Sequence, residues 1–278
     1  MSIPTIEEGS TPPGFSAAAG TPCRWLVSLD YDGTLQNPVG PPIQPEFFEQ
    51  MQAWRKAGVR WGINTGRSLD YLLQEIIPCS PVLPDFICTC ERYVYIADAD
   101  GKLRPQLGHN AACHRHNAEL KRSLAPTLHA TLSELRRTCP QLEWELAVND
   151  PLSIEAKDSE TMDALLPHLQ PLVTPACTIQ RAGRYMRFAD ARYSKGTALS
   201  LVLKHWQLSP ENLFIMGDGQ NDLDAFRMFP AAYCAAPSTA HPEVLEWLKH
   251  RPHVRISQEQ GVLSELRNWY QERVQPVF

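Results

Sequence analysis

The sequence predicts an α/β protein: a doubly wound, Rossmann-like parallel sheet with a smaller α+β segment inserted into it. Two observations carry that reading. The apolar runs Trp25–Leu29 and Leu213–Met216 both lead into acid-bearing loops, Asp30-Tyr31-Asp32-Gly33-Thr34 and Gly217-Asp218-Gly219-Gln220-Asn221-Asp222, as strands of an open sheet do when they deliver chemistry to their carboxyl ends. Between about residues 108 and 186 the chain follows a different rhythm, helix-strand-strand repeated twice.

Taken in order, residues 1–22 contain Gly9-Ser10-Thr11-Pro12-Pro13-Gly14 and an alanine run without periodicity, which reads as a dispensable flexible tail. Trp25–Leu29 is almost wholly apolar, so it reads as a central strand covered on both faces and ended by the Gly33-Thr34 turn. Asp30 and Asp32, spaced by two, project to one side at its carboxyl end. There one can act as nucleophile while the other manages protons, provided a cation screens their repulsion. The plainer alternative is an Asx turn with two solvated acids.

A second strand from Val59 ends in Asn64-Thr65-Gly66-Arg67-Ser68. A hydroxyl, a glycine and the exposed amides of a helix start make an anion pocket, although capping alone also accounts for Thr65 and Ser68. After the apolar run Phe86–Cys90 comes a hairpin, Tyr93–Ala97, turning at Asp98-Ala99-Asp100-Gly101 before Lys102-Leu103. The inserted segment reads as a helix to Arg137, strands Leu142–Val148 and Leu152–Ala156, a helix Ser159–Leu169, and strands Cys177–Arg181 and Tyr185–Phe188. Ser194-Lys195-Gly196-Thr197 then opens a helix running through Leu203. A lysine at a helix start works against the macrodipole and needs another reason to be there. Asp218 and Asp222 complete an oxygen-rich site suited to Mg²⁺, a hard cation that keeps several waters.

The order of these pieces resembles the haloacid dehalogenase-like phosphatase superfamily, whose four motifs are a DxDGT strand, a strand-terminal Thr or Ser, a Lys, and a GDxxxD loop. Asp30-Tyr31-Asp32-Gly33-Thr34, Thr65, Lys195, and Asp218 with Asp222 match them in order. The resemblance covers the core, residues 23–107 and 187–278, and residues 108–186 look like the α+β cap of its type IIB branch. That branch includes sucrose- and trehalose-phosphate phosphatases and phosphomannomutases. It implies a Mg²⁺-dependent phosphatase of a small phosphorylated metabolite, a sugar phosphate above all. Asp30 is then the nucleophile and Asp32 the acid/base. The metal falls to the Asp30 carboxylate, the Asp32 backbone carbonyl and Asp218, with Asp222 in support. Thr65, Gly66, Lys195 and Asn221 fall to the phosphoryl oxygens. Many members carry Asn-Gly where this chain has Cys90-Glu91, so their substrate contacts there do not carry over. A sugar phosphomutase using the same acids is the alternative, distinguished by its need for a bisphosphate activator. A silent binding module is disfavoured because Asp30 and Asp218 are both kept.

Composition agrees with a compact enzyme. With 278 residues and 43% hydrophobic content the chain can build a large core and a smaller lid. A net charge of −5 offers no polyanion-binding surface, which excludes nucleic acid as a substrate class. No apolar run reaches the ~18 residues of a membrane helix, and no signal peptide is apparent, so a cytoplasmic protein, monomer or weak dimer, is expected. Eight cysteines are even in number, yet such a core needs no bridges, and most are expected to be buried thiols. His109, Cys113, His114 and His116, with Cys88 and Cys90 upstream, superficially suggest zinc, but their spacing fits no familiar tetrahedral pattern. Arg181, Arg184 and Arg187 are candidates to contact a substrate from the lid, although alternation on a half-exposed sheet explains Arg181 and Arg184 individually at least as well, so one or two at most are expected to face the pocket.

Overall fold

The computed structural model describes residues 21–36, 42–147, 150–251, 254–257 and 262–275. The tail expected over 1–22 therefore lies, up to residue 20, outside the described residues. An eight-stranded sheet runs β12-β11-β10-β1-β2-β3-β4-β5. Its members are β1 (Trp25–Leu29), β2 (Val59–Asn64), β3 (Phe86–Thr89), β4 (Tyr93–Ala97), β5 (Leu103–Pro105), β10 (Leu213–Met216), β11 (Tyr233–Pro237) and β12 (Val254–Ser257). From β12 to β3 the pairing is parallel, and β4 and β5 close the edge antiparallel.

The apolar continuity of β1 has a direct cause. Val27 and Leu29 pack with Phe47, Met51, Trp61 and Trp269 in one buried cluster. Leu26 packs with Phe86, Ala198, Leu199 and Leu213 in another. Helices cover both faces: α1 (Pro45–Trp54), the short α2 (Leu69–Tyr71) and α8 (Leu263–Trp269) contribute to the first cluster, and α5 (Lys195–Trp206), α6 (Leu223–Met228) and α7 (Pro242–Lys249) to the second. Each large aliphatic or aromatic side chain buried here contributes about 1.5–3 kcal/mol relative to exposure. The sheet is thus doubly wound, and its order reverses at β1 beside β10. In such sheets the crevice at the carboxyl ends of the reversing strands holds the ligand.

The inserted elements form a second, antiparallel sheet of order β6-β7-β9-β8. It comprises β6 (Trp144–Ala147), β7 (Asp150–Ala156), β8 (Cys177–Ala182) and β9 (Tyr185–Asp190). Leu128, Leu132 and Leu135 of α3 (Leu107–Thr138), and Met162, Leu165 and Leu169 of α4 (Ser159–Leu169), cover Leu152, Ile154, Met186 and Phe188. The helix expected to Arg137 ends one residue later, and Val148, expected in the first strand of this sheet, lies outside the described residues. β8 packs against the Gln220–Asp222 turn, which brings the second sheet onto the carboxyl edge of the first.

All eight cysteines are unpaired. Four are buried, Cys23, Cys90 and Cys139 are half-buried, and Cys79 is exposed, so burial is less general than expected. No helix among the described residues is long and apolar enough to cross a membrane.

Candidate active site

In-register pairing brings the strand ends together: Leu29 lies opposite Ile63 of β2 and Met216 of β10. The loops that follow therefore open on one edge. The Asp30 amide still donates to the Met216 carbonyl at 2.9 Å, after which the chain winds into a single wide turn over Tyr31–Leu35. Gly33 has φ +71°, and a Cβ there would stand 2.3 Å from Asp218 Oδ2. A side chain at that position is thus excluded by conformation and by space. Thr34 Oγ1 donates to Asp218 Oδ1 at 3.1 Å, tying the first loop to the second.

Lys195 is buried, and its Nζ lies 2.7 Å from Asp30 Oδ1 and 2.7 Å from Asp222 Oδ1. This is the reason for a lysine at a helix start: two buried carboxylates outweigh the macrodipole. Its backbone is fixed by Asn64 Nδ2, which donates to the Lys195 carbonyl at 3.1 Å, and by Ser194, which caps α5 with Thr197. Asp222 Oδ2 also accepts from the Gly219 amide at 3.0 Å.

Asp30, Asp218 and Asp222 each place a carboxylate oxygen within 4.8 Å of the others. Burial pushes Asp30 up to about 7 against the pull of Lys195, with Asp222 and Asp32 adding to the rise. Burial and then Asp30 push Asp218 up to about 6. Burial likewise raises Asp222. Three crowded acids with one ammonium leave excess negative charge, and an all-oxygen donor set of this kind fits Mg²⁺.

The Asp32 carboxylate stands apart from this trio. Arg67 grips it at two points, and the guanidinium lies 4.6 Å from the centre of the Tyr71 ring. Thr65 is fully buried; its Oγ1 accepts from the Arg67 amide at 3.1 Å, while Ser68 Oγ caps the next turn by accepting from Tyr71. Asn221 Nδ2 donates to Glu91 Oε1 at 2.6 Å, and a Cβ on Gly66 would meet the same oxygen at 3.4 Å.

Glu91 and Arg67 are participants for which sequence reasoning gave no role, and of the three arginines considered for a pocket it is Arg187 that reaches the site. Glu91 is buried at the β3–β4 turn, where Cys90 (φ +49°) and Glu91 (φ +62°) are both left-handed and the Arg92 amide closes onto the Thr89 carbonyl. Consecutive left-handed residues are what Asn-Gly supplies in such hairpins. Cys-Glu at that place was the available signal. Arg187 Nη2 lies 2.7 Å from Glu91 Oε2 and also donates to the Cys90 carbonyl. Although burial pushes Glu91 up, Arg187, Lys195 and the Asn221 amide outweigh it and hold the carboxyl below its usual range. Arg181 turns instead to Asp163 and Arg184 to Glu155. His109 Nε2 meets the Arg92 carbonyl and His116 Nδ1 the Tyr193 hydroxyl. The acidic trio is the sole group of three or more such ligands among the described residues.

Residues 112–266, more than half of the chain, match the model of the haloacid dehalogenase-like hydrolases, and the chain belongs to that family. The matched span holds Lys195, Asp218 and Asp222 but not Asp30 or Thr65. Among solved structures, the sucrose-phosphatase of Synechocystis sp. PCC6803, in complex with sucrose and phosphate, is 17% identical. It aligns over 90% of this chain and 98% of its own, with a TM-score of 0.66. A haloacid dehalogenase-like hydrolase protein from Bacillus subtilis is 12% identical over 92% of this chain and 94% of its own, TM-score 0.57. An X-ray structure bearing on a trigonal-bipyramidal intermediate in a phosphoryl-transfer superfamily is 16% identical over 88% and 98%, TM-score 0.57. At these identities the likeness is one of fold. No curated protein matches the sequence.

Proposed function

We propose that the protein is a Mg²⁺-dependent phosphomonoester hydrolase acting through an aspartyl phosphate on a small phosphorylated metabolite, a sugar phosphate above all. The observation that carries the reading is the contact of Lys195 with Asp30 at the carboxyl end of β1, beside Asp218 and Asp222. Asp30 attacks phosphorus in line and forms the covalent intermediate. Asp32 protonates the departing alkoxide, then takes a proton from the hydrolytic water. Thr65, Gly66, Lys195 and Asn221 hold the phosphoryl oxygens, Lys195 as a compact point charge. Asp30, Asp218 and Asp222, with the Asp32 carbonyl, would hold the metal. Mg²⁺ there would screen Asp30 from the incoming phosphate and neutralise charge on the transferring group. Residues 108–186 act as a cap that closes over the leaving group and excludes water. The same reading makes the protein cytoplasmic, a monomer or weak dimer, without nucleic-acid or membrane partners.

The test is a phosphate-release screen of the purified protein with Mg²⁺ against sugar, polyol and nucleotide phosphates. Release confined to sugar phosphates, without a bisphosphate activator, is the expected result. Release from nucleotides alone would overturn the substrate class, and dependence on a bisphosphate would overturn hydrolysis in favour of a mutase.

A further inference from the structure

Glu91 is a buried anion placed against groups that would otherwise attract anions. Its amide donates to the Thr65 carbonyl at 3.0 Å and the Cys90 amide to the Arg67 carbonyl at 2.9 Å, so the hairpin tip is pinned to the loop after β2. Its carboxylate reaches Asn221 with one oxygen and Arg187 with the other, and lies close above Gly66. Keeping this arrangement requires left-handed backbone at two residues with side chains, a conformation glycine adopts without cost. The strain is sustained for the sake of a charged side chain where glycine would serve the turn.

The arginines of β8, β9 and the turn between them add the second half of the argument. Arg181 is paired with Asp163 and Arg184 with Glu155, both on the second sheet's side, whereas Arg187 alone reaches the β3–β4 turn. Glu91 therefore neutralises the cation by which these strands could hold another anion. A leaving group bearing its own phosphate needs such a cation, and here it would also meet a fixed carboxylate in a poorly solvated cleft.

We propose that Glu91 is a specificity-determining residue that confines the enzyme to phosphate esters with an uncharged leaving group and rejects bisphosphates. This rests on the phosphoryl-binding roles given above to Gly66, Lys195 and Asn221. It also explains, in this chain's own residues, why the acids would serve hydrolysis rather than a mutase reaction, in which a bisphosphate must stay bound while the sugar turns.

Binding is measured rather than turnover, by calorimetry with Mg²⁺ on full-length Asp30→Asn protein with and without Glu91→Gln. The probes are hexose 6-phosphate and hexose 1,6-bisphosphate. Glutamine keeps an acceptor for Asn221 and removes the charge. Because Glu91 also borders the shared phosphoryl site through Asn221 and Gly66, both probes can tighten, but we expect the second substitution to tighten the bisphosphate by about tenfold or more beyond the monophosphate. Glu91→Gly, which suits the left-handed backbone, should shift selectivity the same way and stands in if the glutamine variant misfolds. An unchanged ratio of the two affinities in a folded variant overturns the inference. If neither sugar ester binds, the substrate reading fails by itself, and methylenediphosphonate against inorganic phosphate decides on Glu91 by the same ratio.

Discussion

Arg67 grips Asp32 with a two-point fork, Nε donating to Oδ2 at 2.8 Å and Nη2 to Oδ1 at 2.6 Å. Both side chains are nearly half exposed, 45% and 41%, so the pair is worth less than about 1 kcal/mol to stability. Its weight lies in where it holds the proposed acid/base. Arg67→Ala should lower turnover of a sugar phosphate by about 10–100-fold, less than the roughly 10²–10⁴-fold at stake in losing an acid/base outright, because Asp32 stays but is misplaced. Turnover of p-nitrophenyl phosphate, whose leaving group needs no proton, should change little. Equal losses on both esters would show that Arg67 acts on phosphate binding instead.

Lys195 gives the second prediction, because removing it leaves Asp30 and Asp222 buried without their cation. Lys195→Met should destabilise the metal-free protein by about 3–5 kcal/mol in urea unfolding at neutral pH. Asp30→Asn removes an acid instead and should keep the fold while lowering turnover by about 10³-fold or more. A Lys195→Met protein as stable as the parent would contradict the buried ion-pair triad.

Why these residues could be read from the sequence, and Glu91 could not, has a physical reason. The strands of the sheet centre announce themselves by unbroken apolar runs, because β1 and β10 are covered on both faces, and the acids that follow them are local signals. Lys195 betrayed itself by sitting at the wrong end of a helix dipole. The elements α1, α7, β11 and β12 are not opened by an acid-bearing loop of this kind, and α6 is a single short helix directly after one; the sequence reading passed over them, as it did over α8. The pairing of Glu91 with Arg187 joins residues 96 apart. Only the meeting of the second sheet with the β3–β4 turn creates it, and no spacing rule reaches that far. The histidines at the start of α3 drew attention by type, yet their ring nitrogens are engaged with the Arg92 carbonyl and the Tyr193 hydroxyl.

For the metal, Asp218 and Asp222 should differ. Asp222 is committed to Lys195 and the Gly219 amide, whereas Asp218 accepts from Thr34 and is the less buried of the two. Asp218→Ala should therefore weaken Mg²⁺ binding by about 10–100-fold or more, and Asp222→Ala by less. Calorimetric titration giving equal or reversed losses would overturn that ranking.

Stability of the metal-free protein should fall as pH rises from about 4 to 7. Asp30 moves from 3.8 to about 7 on folding, so between those values the folded chain binds more protons than the unfolded one. That contribution is complete below the unfolded value and lost as pH rises through the folded one. Asp218, pushed up to about 6, acts in the same direction. Glu91, held low, acts oppositely, but only as pH falls below its ordinary 4.5. Saturating Mg²⁺ should flatten the slope by binding the ionised acids. Melting temperatures across this pH range, with and without Mg²⁺, check both statements; a slope unchanged by Asp30→Asn would assign it elsewhere.

Deleting residues 108–186 should abolish recognition of the natural substrate yet spare hydrolysis of small activated esters. Asp30, Asp32, Thr65, Lys195, Asp218 and Asp222 all stand on the eight-stranded sheet's loops and helices, outside the deleted stretch, and the two main-sheet clusters contain no residue from it. What is lost is the second sheet up to Met186, including β8, which lies against the Gln220–Asp222 turn; Arg187 itself lies just beyond the deleted stretch but loses the β7 and β8 partners that hold its strand in place against Glu91. Water then reaches the cleft, weakening its electrostatics, so the remaining rate on p-nitrophenyl phosphate should be lower by about 10–100-fold but measurable. The rate on the best sugar phosphate should fall much further, because contacts to the leaving group vanish with the insert. A short Gly/Ser linker would replace the segment, with folding verified by cooperative unfolding. If that folded protein loses both activities completely, an indispensable catalytic group resides in residues 108–186, and the chemistry does not belong to the main sheet alone.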